Sequence, residues 1–168
     1  MYQVGEFVIH RGEGVCQVGA VGLLDISGVQ KDRLYYTLVP LYCGGKIYTP
    51  VDTCAIIRPI LTKKEAMELV RAIPSIPTVS CTGWNPRALN DFYSEKLNSH
   101  NCVNMVQIIK TAYSKRSICR GKGSKSSPVD ERYMKRAEDL LYGELAVALE
   151  IPRADVLDYI TQVIENAS

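Results

Sequence analysis

The chain changes from short strand-like segments to long helix-like segments around one stretch, Thr82–Arg87, which reads Thr-Gly-Trp-Asn-Pro-Arg. This stretch holds the one tryptophan of the 168 residues, and a basic region follows it. Asn85 and Pro86 are typical of a helix start, because an asparagine side chain caps free N–H groups and a proline has no N–H to leave unpaired. The change of pattern predicts the α+β class, with two domains.

Before this stretch, five short segments have the alternating and β-branched character of strands, with glycine-rich turns between them. They span residues 2–9, 14–21, 33–39, 46–51 and 54–58. Pro50 cannot donate a ladder hydrogen bond, so the fourth strand should be an edge strand or end there. We predict a small five-stranded barrel of the Tudor or SH3 type, a fold that often serves as a binding module.

The helical part begins earlier than the tryptophan. Thr62 and Glu65 have the spacing of a capping box, which predicts a short helix to about Ile73. The prolines that follow favour a linker over residues 74–83, between a domain of residues 1–73 and a helical domain of residues 84–168. In the latter we predict four helices, over residues 86–97, 101–115, 127–150 and 152 onward. Apolar residues expected on the buried face of the second are Val103, Val106, Ile109 and Tyr113.

Positive charge is concentrated in the middle of the chain, although the net charge is only +2. Residues 84–136 hold eleven basic and four acidic side chains, whereas residues 1–70 are balanced at seven of each. Residues 137–168 hold one basic and seven acidic side chains. A local excess of this size favours an anionic partner.

Several classes of protein are disfavoured. No apolar run is long enough to cross a bilayer, and residues 1–6 lack the features of a signal peptide, so we expect a cytoplasmic protein. The six cysteines form no Cys-x-x-Cys pair and the two histidines stand apart, which argues against a zinc site. There is no cofactor motif and no Cys-His-acid pattern. We expect no enzyme activity, no cofactor and a monomer.

Trp84 allows two interpretations. It precedes the predicted helix cap, so it could fold onto its own helix near Leu89 as a hydrophobic staple. Alternatively it is an exposed aromatic wedge flanked by cations, which is how some proteins enter a DNA minor groove.

Three stretches resemble the CarD family of bacterial transcription regulators. The first is Tyr2–Val8 with the following Gly12–Val18, a motif also found in the transcription-repair coupling helicase. The second is Trp84-Asn85 before a basic helix. The third is the long segment Asp130–Ala146.

The resemblance implies a non-enzymatic regulator with a Tudor-like domain that binds the β subunit of RNA polymerase and a helical domain that touches promoter DNA. Trp84, with Asn85, would wedge into the minor groove at the upstream edge of the melted bubble and stabilise the open complex. Arg87 and Arg132 match basic DNA-contacting positions of the family. Charge alone adds three DNA-binding candidates, for which the alternative is a solvated surface cation: Lys110, Lys115 and Arg116.

For the polymerase, the resemblance points to one strand and one turn. Their residues are Lys46, Ile47, Tyr48, Thr49 and Pro50 in the strand, and Leu24 and Asp25 in the turn. Better-known members place arginines near Leu24 and Tyr48, so a contact here would rest on backbone strand pairing more than on salt bridges.

The leading hypothesis is a polymerase-bound regulator that associates with the nucleoid through RNA polymerase. Two alternatives come from other classes. An architectural DNA-binding protein without a polymerase partner would leave the barrel without a role. A cysteine-dependent enzyme lacks a recognisable constellation of partner residues.

Overall fold

The computed structural model describes residues 1–53 and 56–168. The strands are β1 (Phe7–His10), β2 (Gly14–Leu23), β3 (Leu34–Pro40), β4 (Ile47–Pro50) and β5 (Ile57–Pro59). The helices are α1 (Lys63–Ala72), α2 (Pro86–Asn98), α3 (Cys102–Gly121), α4 (Pro128–Leu149) and α5 (Val156–Asn166). The predicted α+β class is confirmed. Of the fifth predicted strand, Cys54 and Ala55 lie outside the described residues.

The strands form one antiparallel sheet in the order β4-β3-β2-β1-β5. Its edges are β4 and β5, and no pairing joins these two strands within the described ranges. The sheet is therefore open, and the predicted closed barrel is not confirmed. β5 is three residues long and pairs only with β1, which leaves it no second strand for closure. β4 is an edge strand that ends at Pro50, as the proline predicts.

One face of the sheet carries a compact apolar core. Its buried members alternate along the strands, as expected where successive side chains point to opposite faces. They are Val8, Cys16, Val18, Tyr36, Leu38 and Ile57. The Tyr36 hydroxyl accepts a hydrogen bond from the Tyr2 amide at 2.9 Å, which ties the N-terminal segment to this core.

The chain divides into two compact units, Met1–Leu61 and Thr62–Ser168. Helix α1 belongs to the second unit, where it packs against α4 and α5 and buries Ala66 and Val70 completely. The segment that we expected to act as a linker also belongs to this unit, and Ile76 and Cys81 within it are buried. These units differ from the expected domains of residues 1–73 and 84–168. The reason is that α1 has an apolar face, which α4 and α5 cover.

The predicted helix starts match the structure closely. Thr62 forms the full capping box with Glu65, and the side chains of Asn85, Asn101 and Ser127 cap α2, α3 and α4. Each cap side chain accepts a backbone N–H that the first turn leaves unpaired. These ends are predictable because the donor and acceptor lie within three residues of each other.

The buried face of α3 was predicted wrongly in part. Tyr113 is 58% exposed and Val103 46% exposed. The buried residues are Cys102, Met105, Val106, Ile108, Thr111 and Ala112. Because α3 packs against both α2 and α4, its covered face is wider than a single apolar stripe. In α5, Val156 and Ile160 are buried, whereas Leu157 is exposed.

Candidate nucleic-acid and protein interfaces

The start of α2 gathers three of the predicted DNA-binding residues. Asn85 is the N-cap, and its side-chain oxygen accepts the Ala88 N–H at 2.8 Å. Pro86 occupies the first helical position, where its missing N–H costs nothing. Trp84 and Arg87 flank these two residues. The cap therefore fixes the backbone that carries both side chains.

Trp84 is held on one side and open on the other. Its ring meets Phe92 edge-on, with the centroids 5.4 Å apart and the planes at 88°. It nevertheless remains 42% exposed. The aromatic contact is with Phe92, two turns into α2, whereas the staple interpretation placed the ring near Leu89, which is buried. Trp84 is thus an oriented aromatic side chain with a large free surface.

Arg87 lies in the first turn of α2, exposed and without a hydrogen bond or ion pair to any residue in the described ranges. No acidic residue occupies this turn. Because a helix N-terminus carries partial positive charge, a cation there is unfavourable unless a bound anion compensates for it. The unpaired guanidinium and the helix end together attract anions.

An aromatic series runs from Trp84 into the unit. Phe92 packs against Tyr93 at 5.4 Å between centroids, and Tyr93 against Tyr133 of α4 at 5.3 Å. The Arg132 guanidinium lies over the Tyr133 ring, 5.0 Å from its centroid. The series therefore has Trp84 at one end and Arg132 at the other. Sequence reasoning missed it because its contacts join α2 to α4.

Lys110 is bound within the fold. Its Nζ donates to the carbonyl oxygens of Ile73, Pro74 and Ile76 at 2.8, 3.2 and 2.6 Å. An ammonium has three hydrogens, so these contacts use its whole donor capacity. Lys110 thereby fastens the segment after α1 to α3.

Lys115 and Arg116 make ion pairs between α3 and α4. Lys115 Nζ lies 2.8 Å from Asp130, whose side chain is buried, and Arg116 lies 3.6 Å from Glu131. The Tyr93 hydroxyl donates to the same Asp130 oxygen at 2.6 Å. Burial, with the Asp130 hydrogen bond and charge, raises the pKa of Tyr93 well above its usual value. Both cations are thus matched by carboxylates inside the unit.

The end of α3 and the turn after it carry three further cations that charge counting alone did not single out. Arg120, Lys122 and Lys125 are exposed, and their side chains form no ion pair with the part of the chain that the structure describes. The density of basic residues in this stretch was the signal available in the sequence. These side chains add unpaired positive potential to the helical unit.

The proposed polymerase strand is an exposed sheet edge. β4 pairs with β3 in a register that places Tyr36 opposite Thr49 and Thr37 opposite Tyr48. Along the same register the Val51 N–H donates to the Leu34 oxygen at 3.1 Å. Opposite residues in an antiparallel pair alternate between exchanging backbone hydrogen bonds and not exchanging them. Tyr48 is at a position of the second kind, so its N–H and C=O point to the free edge of the sheet. Pro50 is also at a non-bonded position and costs the sheet no hydrogen bond.

The side chains of this edge alternate as well. Thr49 is buried and Ile47 packs on the core, whereas Tyr48 is 39% exposed. Lys46 is exposed beside the strand. Leu24 and Asp25 follow β2 at the sheet end where β4 also finishes, and Asp25 pairs with Lys31 at 2.6 Å. The topology therefore brings the two predicted segments to one end of the sheet.

Cys16 and Cys81 are buried and are poor nucleophiles. Burial is the main cause that raises the pKa of Cys16 to about 12 and also raises that of Cys81. In residues 1–53 and 56–168, no three His, Cys, Asp or Glu side chains form a group that could hold a metal ion. Within the same ranges, no helix has the length and apolar character needed to cross a membrane.

Comparison with known families concerns the sheet unit. Residues 2–61 match the family model of the CarD-like/TRCF RID domain. The matched residues span almost the whole first unit, which is therefore similar to a CarD-like RID domain. This match confirms the resemblance that the opening motif suggested, and it supports a transcription factor that interacts with RNA polymerase. The RID domain is a protein-interaction module. No curated protein matches the chain.

Proposed function

We propose that this protein binds the RNA polymerase β subunit through β4 and stabilises the open promoter complex by placing Trp84 in the minor groove at the upstream edge of the bubble. The observation that carries the proposal is the start of α2, where an oriented but 42% exposed tryptophan stands beside the unpaired Arg87. The RID domain supports the polymerase partner.

The physical basis is a wedge combined with phosphate contacts. An indole inserted between base steps compensates for the stacking that the DNA loses, and it blocks the duplex from closing. Arg87, with the α2 N-terminus, and Arg132 bind phosphates without reading sequence. Lys110, Lys115 and Arg116 are left out of the direct contacts, since each has a partner within the unit.

The lifetime of open complexes tests the DNA part of the proposal. With purified cognate polymerase on a ribosomal-type promoter, the protein should lengthen the lifetime, and Trp84→Ala should abolish the effect because the wedge is gone. Tyr113→Ala is the matched control, since it removes another exposed aromatic side chain of the helical unit. An unchanged lifetime despite DNA binding would favour an architectural protein without a polymerase partner.

The polymerase part is tested at the outward-facing backbone of β4. In strand addition, main-chain hydrogen bonds supply the affinity. Tyr48→Pro removes the outward N–H while leaving the bonds of β4 to β3 in place, because proline is tolerated where an edge strand faces solvent. We expect binding to the β subunit to fall at least about tenfold, which corresponds to one hydrogen bond of roughly 1.4 kcal/mol.

Tyr48→Thr controls for the side chain, because it keeps the backbone donor and a β-branched residue. If Tyr48→Thr weakens binding as much as Tyr48→Pro does, the contact depends on the tyrosine ring rather than on strand pairing. Circular dichroism of both variants checks that the sheet is retained.

A further inference from the structure

Asn90 holds the Arg132 end of the aromatic series. It lies on α2, half-buried, and its Oδ1 accepts two hydrogen bonds from α4. One comes from Arg132 Nη2 at 2.7 Å and the other from the Tyr133 hydroxyl at 3.0 Å. A single neutral oxygen therefore holds the cation and the ring over which that cation lies.

Arg132 keeps most of its binding capacity in this arrangement. A guanidinium has five N–H donors, and the contact with Asn90 uses one of them. Its guanidinium carbon lies over the Tyr133 ring, and the side chain remains exposed. The remaining N–H groups can meet a phosphate in the bidentate geometry that arginine favours.

Fixing a long side chain before binding reduces the entropy that binding would otherwise cost. Asn90 also lies on the helix that begins beside Trp84 and Arg87. It thus sets the position of the α4 cation relative to the wedge residue of α2.

We propose that Asn90 is a positioning residue for DNA binding, which orients Arg132 toward a backbone phosphate next to the Trp84 site. This inference rests on the proposed function. The neutrality of the amide matters, because a carboxylate at this position would neutralise Arg132 and compete with the phosphate.

The test measures the affinity of the full-length chain for a fluorescently labelled duplex with an unpaired segment, at several salt concentrations. The variants are Asn90→Ala, Arg132→Met and the double substitution. Arg132→Met should lower the slope of log K against log salt by about 0.9, the value for one phosphate contact. Asn90→Ala should weaken binding about threefold to tenfold and lower the slope in the same direction. In the Arg132→Met background it should have no further effect.

Asn90→Asp separates positioning from simple structural support. It retains an acceptor oxygen for both hydrogen bonds, so thermal stability should equal or exceed that of the unmodified protein, yet DNA binding should weaken. Asn98→Ala is the control within α2, since its amide only donates to Ser94 at 3.3 Å on the exposed surface.

The outcomes are distinguishable. If Arg132→Met weakens DNA binding but both Asn90 variants leave it unchanged, the role of Asn90 is overturned and the proposed function stands. If Asn90→Ala weakens binding equally with and without Arg132, Asn90 does not act through that side chain and the inference is overturned. If neither Arg132→Met nor Trp84→Ala changes DNA binding, the proposed DNA face fails, and this inference fails with it.

Discussion

At the scale of single residues, partners decide whether a polar group serves the fold or remains available to a ligand. Arg87 and Lys115 are both cations of the basic region, but only Lys115 has a buried carboxylate beside it. The same carboxylate, on Asp130, accepts the Tyr93 hydroxyl, whose ring is fully buried. This group of three therefore contributes to the stability of the helical unit rather than to a binding surface.

The Tyr93 phenol predicts a pH dependence of stability. Burial and Asp130 raise the pKa of Tyr93, so above about pH 10 the unfolded chain releases a proton that the folded chain retains. The free energy of unfolding should then fall as pH rises, by up to about 1.4 kcal/mol per pH unit from this group. At lower pH the phenol is protonated in both states, and its contribution is fully present.

Urea unfolding at pH 8, 9, 10 and 10.5 checks this. The difference in unfolding free energy between the unmodified protein and Tyr93→Phe should be constant at pH 8–9 and shrink above pH 10. Burial also raises the pKa of Tyr142, to about 12, but this residue is present in both proteins, so its effect cancels in the difference. A difference for Tyr93→Phe that stays constant above pH 10 would contradict the assignment.

At the scale of elements, contacts within a few residues determine where a helix begins, whereas contacts with distant parts of the chain determine which face is buried. Caps such as Asn85 bond within three residues, so their pattern is visible in the sequence. Which face of α3 is buried depends on two neighbouring helices and on the segment after α1. The apolar residues of α3 are spread around the helix, so the sequence does not single out one buried face. That is why Tyr113 was assigned to the core and Lys110 to the surface.

Lys110→Met should therefore destabilise the helical unit by about 2 kcal/mol, within the range for hydrogen bonds to charged groups. The three carbonyls that it binds would lose their donor while the aliphatic stem remains. Lys125→Met, at an exposed position, should change stability by less than about 0.5 kcal/mol. Urea unfolding measures both. If Lys110→Met leaves stability unchanged but weakens DNA binding, Lys110 contacts DNA, as its charge alone suggested.

At the scale of the whole molecule, the two units differ in the character of their surfaces. The sheet unit presents an edge strand, and the helical unit carries Trp84 and the unpaired Arg87. The RID match covers residues 2–61, and the helical unit begins at the next residue, Thr62. Helix α1 then supplies part of the helical core, although it precedes the expected boundary.

This placement of α1 predicts the behaviour of fragments. A fragment of residues 62–168 should unfold cooperatively. A fragment of residues 74–168 should melt at least about 6 °C lower, because losing Val70 alone removes roughly 1.5–3 kcal/mol and each kcal/mol corresponds to about 4–8 °C. Thermal circular dichroism measures the difference. If the two fragments melted at the same temperature, α1 would not stabilise the helical unit and would belong to the first domain.

The sequence by itself determined the α+β class, the capped starts of α1 to α4, the edge position of β4 and the resemblance of the first unit to RID domains. These features depend on residues close together in the chain or on a contiguous motif. The tertiary structure alone decided that Asp130 pairs with Lys115 and that Asn90 holds Arg132. The physical reason is that these side chains find partners on another helix, in the last case 42 residues away, and no local pattern records such a contact.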